Sequence, residues 1–200
     1  MTGERVKRMC GRFYILVEEE GETIAREIFP TQEVEVLTCN GWRHMQWGFP
    51  QFTGKGVIIN ARAETVAVKP MFSRSFATRR CLVRAQGFFE WQHQEGKKTK
   101  GKYKIDRMDS EKMMMAGIYN EQGQFVIITQ TPNETVAPLH DRMPVVIPTP
   151  EMQALWLHED SLAEPLLSMY PDVAMCADRE PAPEPKEKDG PLEGQIGMEI

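Results

Sequence analysis

Five residues in this chain carry side chains and settings that suit covalent, acid–base or phosphate-binding chemistry. Cys10, in the segment MCGRF (9–13), places a thiol near the start of the chain, just before a β-prone run. Most cysteines are small core residues, and a nucleophilic role needs a base and a polar surround. Glu90 stands between Phe89 and Trp91 in RRCLVRAQGFFEW (79–91). Among aromatics a carboxylate is partly desolvated and its pKa raised, as general acid–base work requires. Strand alternation equally allows Glu90 to point outward while Phe89 and Trp91 point inward. His140 opens HDRMPVVI (140–147), a loop histidine beside Asp141 and Arg142, suited to proton transfer or a phosphate contact, or else simply exposed. Asn60 and Arg62, in NARAET (60–65), follow the apolar run Val57-Ile58-Ile59. A strand continuing through them puts both on one face. The Arg62 fork matches two phosphate oxygens, or pairs with Glu64 at a surface turn.

Other features point more weakly to an anionic polymer. Lys98, Lys100, Lys102 and Lys104 alternate and would line one strand face, tracking a phosphate backbone or guarding a sheet edge. Trp47, Phe49 and Pro50 in WGFP could stack on bases or fill a core. The cysteines Cys10, Cys39, Cys81 and Cys176 contain no CxxC pair, which argues against a zinc ribbon or a thioredoxin-like site. Neither a metal nor a cofactor is expected.

These groups need a frame. Two hundred residues suffice for one domain with a real core. A hydrophobic content of 41% with 26% charged residues excludes a wholly disordered chain. No apolar run is long enough for a membrane span, and MTGERVKR leads into no signal-like apolar stretch, so a cytoplasmic protein is expected. The net charge of −5 is concentrated at the end: residues 178–200 hold seven acidic and three basic groups, leaving the body near −1. A nearly neutral body does not exclude nucleic acid, because binding depends on where cations cluster.

Short β-prone runs recur at 12–17, 34–39, 57–60, 102–105, 113–119, 125–129 and 144–147, divided by Gly, Pro and Asn. Thr149-Pro150-Glu151 reads as a helix start, with Met152, Leu155 and Trp156 facing the core. Ser161 and Glu164 suggest a capping box for a second helix, and a short helix is conceivable at 20–28. The pattern implies an α+β fold: one strand-rich domain with a curved, barrel-like antiparallel or mixed sheet and a few short helices. The domain is expected to span 10–177, preceded by residues 1–9 and followed by a disordered, acidic, Pro-rich tail at 178–200.

The order of the segments is more specific than any one of them. MCGRF, FPTQ (29–32), WGFP (47–50), NARAET, RRCL with GFFEW, AGIYN (116–120), IITQTPN (127–133) and HDRMPVVI follow one another. In this order they resemble the SOS-response-associated peptidase family, the abasic-site processing proteins, from Met9 to about Trp156. The resemblance implies capture of abasic sites in single-stranded DNA. Cys10, exposed as the N-terminal residue, would add its thiol and α-amine to the sugar aldehyde and close a thiazolidine. It further implies that Glu90 opens the sugar ring and reverses the adduct, that His140 assists proton transfer, and that Asn60 positions amine and sugar. Arg12, Arg62 and Arg142 would hold phosphates, with Trp47 and Pro30 stacking on a kinked strand. A monomer in the cytoplasm, nucleoid-associated when bound to DNA, is implied.

The chain departs from the family pattern in four places. Nine residues precede Cys10, so either translation starts at Met9, or the protein removes the leader itself with Cys10 and His140 as peptidase groups, or thiazolidine chemistry is unavailable. Arg84 stands where the family usually has Pro and adds a cation near the DNA. Gln86 replaces a common Asp, and Gln130 breaks a Thr-Thr pair. A cysteine peptidase and a non-catalytic single-stranded DNA-binding module are therefore the competing readings.

Overall fold

The computed structural model describes residues 11–52, 54–92, 101–169 and 173–181. Cys10, the leader, Lys98, Lys100 and residues 182–200 lie outside the described residues. The first two strands, β1 (Phe13–Glu19) and β2 (Glu22–Ile28), form a hairpin with seven paired positions, Phe13 opposite Ile28 through Glu19 opposite Glu22. Its two turn residues, Glu20 and Gly21, both take positive φ (52° and 85°). That turn matches the twist of the flanking strands, so the segment expected as a short helix at 20–28 is a strand.

Twelve further strands follow: β3 (Glu33–Thr38), β4 (Gly41–Trp47), β5 (Phe49–Pro50), β6 (Val57–Ile58), β7 (Asn60–Arg62), β8 (Arg80–Ala85), β9 (Gly87–Gln92), β10 (Gly101–Arg107), β11 (Met113–Tyr119), β12 (Gln124–Gln130), β13 (Met143–Pro144) and β14 (Met175–Arg179). One sheet is antiparallel, in the order β14-β10-β9-β1-β2. The second closes on itself: β11 pairs β8, β8 pairs β3, β3 pairs β4, β4 pairs β12 in parallel, and β12 returns to β11. This is the expected curved, mixed, barrel-like sheet, and closure removes its open edges. β7 and β13 extend it along β12.

Alternation assigns the two faces. Val36, Met45, Trp47, Val83, Met115 and Phe125 share one buried cluster with Phe13, Phe88 and Ile105 of the antiparallel sheet. Leu82, Ile118, Val126 and Ile128 point the other way, into a second cluster with Phe76, Val145, Ile147 and Trp156. Strands buried on both faces read as continuous apolar runs, which is why MMMAGIY and FVIIT stand out in the sequence.

The second cluster lies beneath three helices, α1 (Ser73–Thr78), α2 (Pro150–His158) and α3 (Ala163–Met169). Thr149 caps α2 as expected, its hydroxyl accepting from Met152 N at 3.3 Å. Ser161 does not cap α3; it sits inside a 3-10 turn, Asp160–Leu162. Asp160 accepts instead from Arg80, whose buried guanidinium also donates to the carbonyls of Phe76, Ala77 and Trp156. One cation thus satisfies orphan carbonyls at the ends of α1 and α2. No helix among the described residues is long and apolar enough to cross a membrane.

The ordered chain runs past 177. Residues 175–179 form β14 on the edge of β10, with Tyr103 opposite Arg179 and Arg107 opposite Met175. Met175 is buried, and the ladder satisfies backbone groups that composition alone assigned to a disordered tail.

Candidate active site

Asn60 and Arg62 lie on β7, paired with Ile127 and Thr129 of β12, while Ala61 between them faces the helical cluster. Both polar side chains therefore face away from the helices, Asn60 only 7% exposed and Arg62 open to solvent. The preceding carbonyl, Ile59 O, accepts from both Trp47 Nε1 (3.0 Å) and Ile127 N (3.1 Å), which fixes the entry into NAR.

Strand β9 settles the orientation of Glu90. Phe88 is fully buried in the inner cluster, so Glu90, two residues on, shares its face; Phe89 and Trp91 face outward. Glu90 is 2% exposed. A carboxylate at such burial needs hydrogen-bonding or charged partners. Gln92, on the same face, donates to Pro138 O at 3.3 Å. That bond ties the Glu90 strand to the loop bearing His140.

The loop is built locally. Asn133 Oδ1 accepts from Val136 N (3.1 Å), His140 N donates to Val136 O (3.0 Å), and Leu139 packs on the inner cluster. The His140 imidazole is largely buried, its Nδ1 accepting from Arg142 N at 3.1 Å with Asp141 Oδ1 3.0 Å away. A neutral ring accepting at Nδ1 carries its proton on Nε2; a protonated ring gives Nδ1–H to Asp141 instead.

Arg142 is committed elsewhere. Its guanidinium forms a two-pronged pair with Glu64 (2.6 and 2.7 Å) and donates to Thr129 O. The Arg142 hydrogen bonds hold the Glu64 carboxyl below the usual carboxylate range, with the nearby Arg62 charge adding to the effect. The side chain expected on a phosphate is a buried brace between NARAE and HDR, because its fork already has its carboxylate. Arg62, expected as a possible Glu64 partner, is left exposed.

Arg12 lies flat between the rings of Phe29 (4.3 Å) and Trp91 (4.9 Å), paired with Glu27 at 3.0 Å. Pro30 belongs to the neighbouring turn, where Thr31 takes φ 74° and donates its N–H to Trp47 O. Trp47 itself is 0% exposed, packed against Phe13 and Phe125, and has no face to offer a base. Nor does Arg84 join this cluster: its neighbours Val83 and Ala85 face inward, and it points out over Trp42 (4.7 Å) toward Glu35 (3.7 Å). Among the described cysteines, burial pushes the Cys81 thiol up, Cys39 is exposed, and Cys176 lies 3.7 Å from Asp106 O. No cluster of three or more His, Cys, Asp or Glu side chains is arranged for a metal among the described residues.

The sequence profile described as SOS response associated peptidase (SRAP) matches residues 9–178, from Met9 into β14. The chain belongs to the SRAP family. It is 31% identical over 182 residues to the abasic site processing protein YoqW of Bacillus subtilis, covering 75% of this chain and 80% of that one. It is 40% identical over 137 residues to YoaM of the same organism, also named an abasic site processing protein, covering 60% of each. A crystal structure from Bacteroides thetaiotaomicron superimposes with a TM-score of 0.65 at 27% identity, covering 76% of each chain.

Within this SRAP frame, one pairing and two residues escaped the sequence reading. Glu64 lies 78 positions from Arg142, and no local pattern links them. Gln92 is one polar residue at a strand end. Phe52, 92% exposed in the turn between β5 and β6, had a signal: an aromatic among Gln51, Thr53 and Gly54 has no amphipathic partner.

Proposed function

We propose that this protein captures abasic sites in single-stranded DNA as a covalent thiazolidine formed by Cys10 when that residue is N-terminal. The observation that supports the reading is Glu90, buried on the inward face of the antiparallel sheet, in a strand tied to the His140 loop by Gln92 on Pro138 O. The names of the curated relatives support the same substrate class.

The chemistry balances without a cofactor. A proton delivered to the ring oxygen and one taken from the anomeric hydroxyl open the sugar to its aldehyde; Glu90 serves this exchange. The Cys10 α-amine adds to the aldehyde carbon, and the carbinolamine loses water to give an imine. The thiol adds to the same carbon, its proton passing to nitrogen, and the five-membered ring closes. One water leaves overall. An α-amine has a pKa of about 8, so roughly a tenth of it is nucleophilic free base at pH 7, far more than of a lysine side chain. His140 moves protons at the sugar, and Asn60 orients the amine. Arg62 and Arg12 hold flanking phosphates, and Phe52 and Pro30 support the bases, contacts that read backbone and stacking rather than sequence. Arg142 acts through Glu64 and His140 as a positioning residue.

Intact mass of the purified protein, before and after incubation with abasic single-stranded DNA, tests the reading. The expected result is a chain beginning at Cys10 that gains the DNA mass less one water, with the gain lost in Cys10→Ser. A chain beginning at Cys10 that gains nothing refutes it.

A further inference from the structure

The outer face of the antiparallel sheet carries a cluster of which the reading above uses only Arg12, leaving Glu27, Lys102 and Glu180 without a role. Glu27 of β2 bridges two cations: Arg12 Nη1 meets Oε2 at 3.0 Å, and Lys102 Nζ meets Oε1 at 2.5 Å. Lys102 lies opposite Trp91 in the β9–β10 ladder and sits over the Phe89 ring at 3.9 Å. A second carboxylate, Glu180, approaches the same ammonium at 3.7 Å, its backbone N–H fixed on Lys102 O. The helices pack on the far side of the closed sheet, and among the described residues Arg12 and Lys102 keep 29% and 22% of their side chains exposed. Phe29 remains 39% exposed and Trp91 half-buried on either side of Arg12.

Two cations on two oxygens of one anion is the arrangement a phosphodiester offers. We infer that Arg12 and Lys102 form a phosphate seat for the DNA strand that Glu27 occupies in the free protein, making Lys102 a strand contact and Glu27 an intramolecular competitor. This rests on the single-stranded DNA reading above. Three features favour a seat over a purely structural ion pair. Arg12 is two residues from Cys10, so a phosphate held there lies beside the captured sugar. Exposed aromatic faces flank the charges, as stacked bases need. The carboxylates balance the two cations locally, so the seat binds DNA by exchanging one anion for another and releases few counterions.

The test is binding of a labelled single-stranded oligonucleotide, by fluorescence anisotropy across potassium chloride concentrations, to the wild type, Glu27→Gln, Lys102→Met and the double variant. Glu27→Gln is expected to bind about threefold to tenfold more tightly at low salt, with a log–log salt slope steeper by about 0.7, the value for one added phosphate contact on a single strand. Misfolding cannot mimic a gain in affinity. Lys102→Met keeps the alkyl stem on Phe89 and is expected to erase that gain in the double variant. Unchanged affinity and slope in Glu27→Gln, or a gain that survives Lys102→Met, overturns the inference while leaving the DNA reading intact. A wild type that binds no single-stranded DNA overturns the DNA reading itself, and the seat with it.

Discussion

The Glu64–Arg142 pair gives an asymmetric prediction, because its two ends differ in exposure. The Glu64 side chain is 50% exposed and that of Arg142 only 10%. Arg142→Met keeps much of the buried stem. It leaves Glu64 free to rehydrate, and Thr129 O still accepts from Ala63 N at 2.9 Å. Two or three hydrogen bonds are lost but no charge is stranded, so a cost of about 1–2 kcal/mol is expected. Glu64→Ala strands a buried guanidinium with Thr129 O as its remaining acceptor, and breaking a buried pair from that side costs about 3–4 kcal/mol. The lower half of the usual range applies because half of the Glu64 side chain is already hydrated. Urea denaturation of the two variants and the wild type reads both values. An Arg142→Met loss equal to or larger than that of Glu64→Ala would refute the assignment of the buried charge. The pair also sets a pH dependence. The folded Glu64 pKa is depressed, so its contribution is complete above the unfolded carboxylate pKa of about 4.3. It fades as pH falls from there through the folded value, and Glu64→Gln should flatten stability in that acid window alone.

Three other substitutions separate chemistry from scaffold. Glu90→Gln is expected to slow adduct formation on the closed sugar by about 10²–10⁴ with DNA affinity retained; a wild-type rate in a quenched time course removes Glu90 from proton transfer. Phe52→Ala should weaken single-stranded DNA binding by about 1–3 kcal/mol without moving the unfolding midpoint, since the ring is almost fully exposed; unchanged affinity would leave Phe52 no stacking role. Gly87→Ala should destabilise the fold by at least about 1–3 kcal/mol in thermal unfolding. A Cβ there meets the Asp106 carboxylate and comes within 2.5 Å of Ile105 O, where the Tyr14 hydroxyl reaches Asp106 across the glycine. A neutral outcome would mean that this crossing is loose.

The sequence showed the strands best where burial left no ambiguity. β11 was placed at 113–119 as found, because its apolar run serves two cores. β2 was misread because Ile24 and Ile28 fit a helix turn as well as a strand, and only the Glu20-Gly21 backbone distinguishes them. β4, β8 and β9 were not among the expected runs, and α1 is six residues long with no side-chain cap to announce it. Asn60 and Arg62 share a face as alternation required. Glu90 could not be oriented, since aromatics occupy both parities at Phe88, Phe89 and Trp91. Trp47 and Phe52 are five residues apart in one aromatic segment; which one is exposed depends on closure of β4 onto β12, a contact with residues nearly eighty positions away.

The bracing contacts explain why the chemical residues arrive embedded in longer segments. WGFP and VIIN are joined by Trp47 Nε1 on Ile59 O, GFFEWQ and the His140 loop by Gln92 on Pro138 O, and NARAE and HDR by Glu64 with Arg142. Each contact joins a segment that carries one of the proposed site residues to a separate segment of the chain. A proton-transfer site misplaced by about an ångström loses much of its rate. Asn60, Glu90 and His140 sit on three separate stretches of chain, so their alignment depends on these cross-links and not on any one local motif. Trp47 and Arg142, expected to touch DNA, occupy strut positions instead, while Phe52 and Arg62 are exposed. On this reasoning a strut variant such as Arg142→Met should lower the rate of crosslinking while leaving DNA affinity nearly unchanged, the opposite of what a phosphate contact would do.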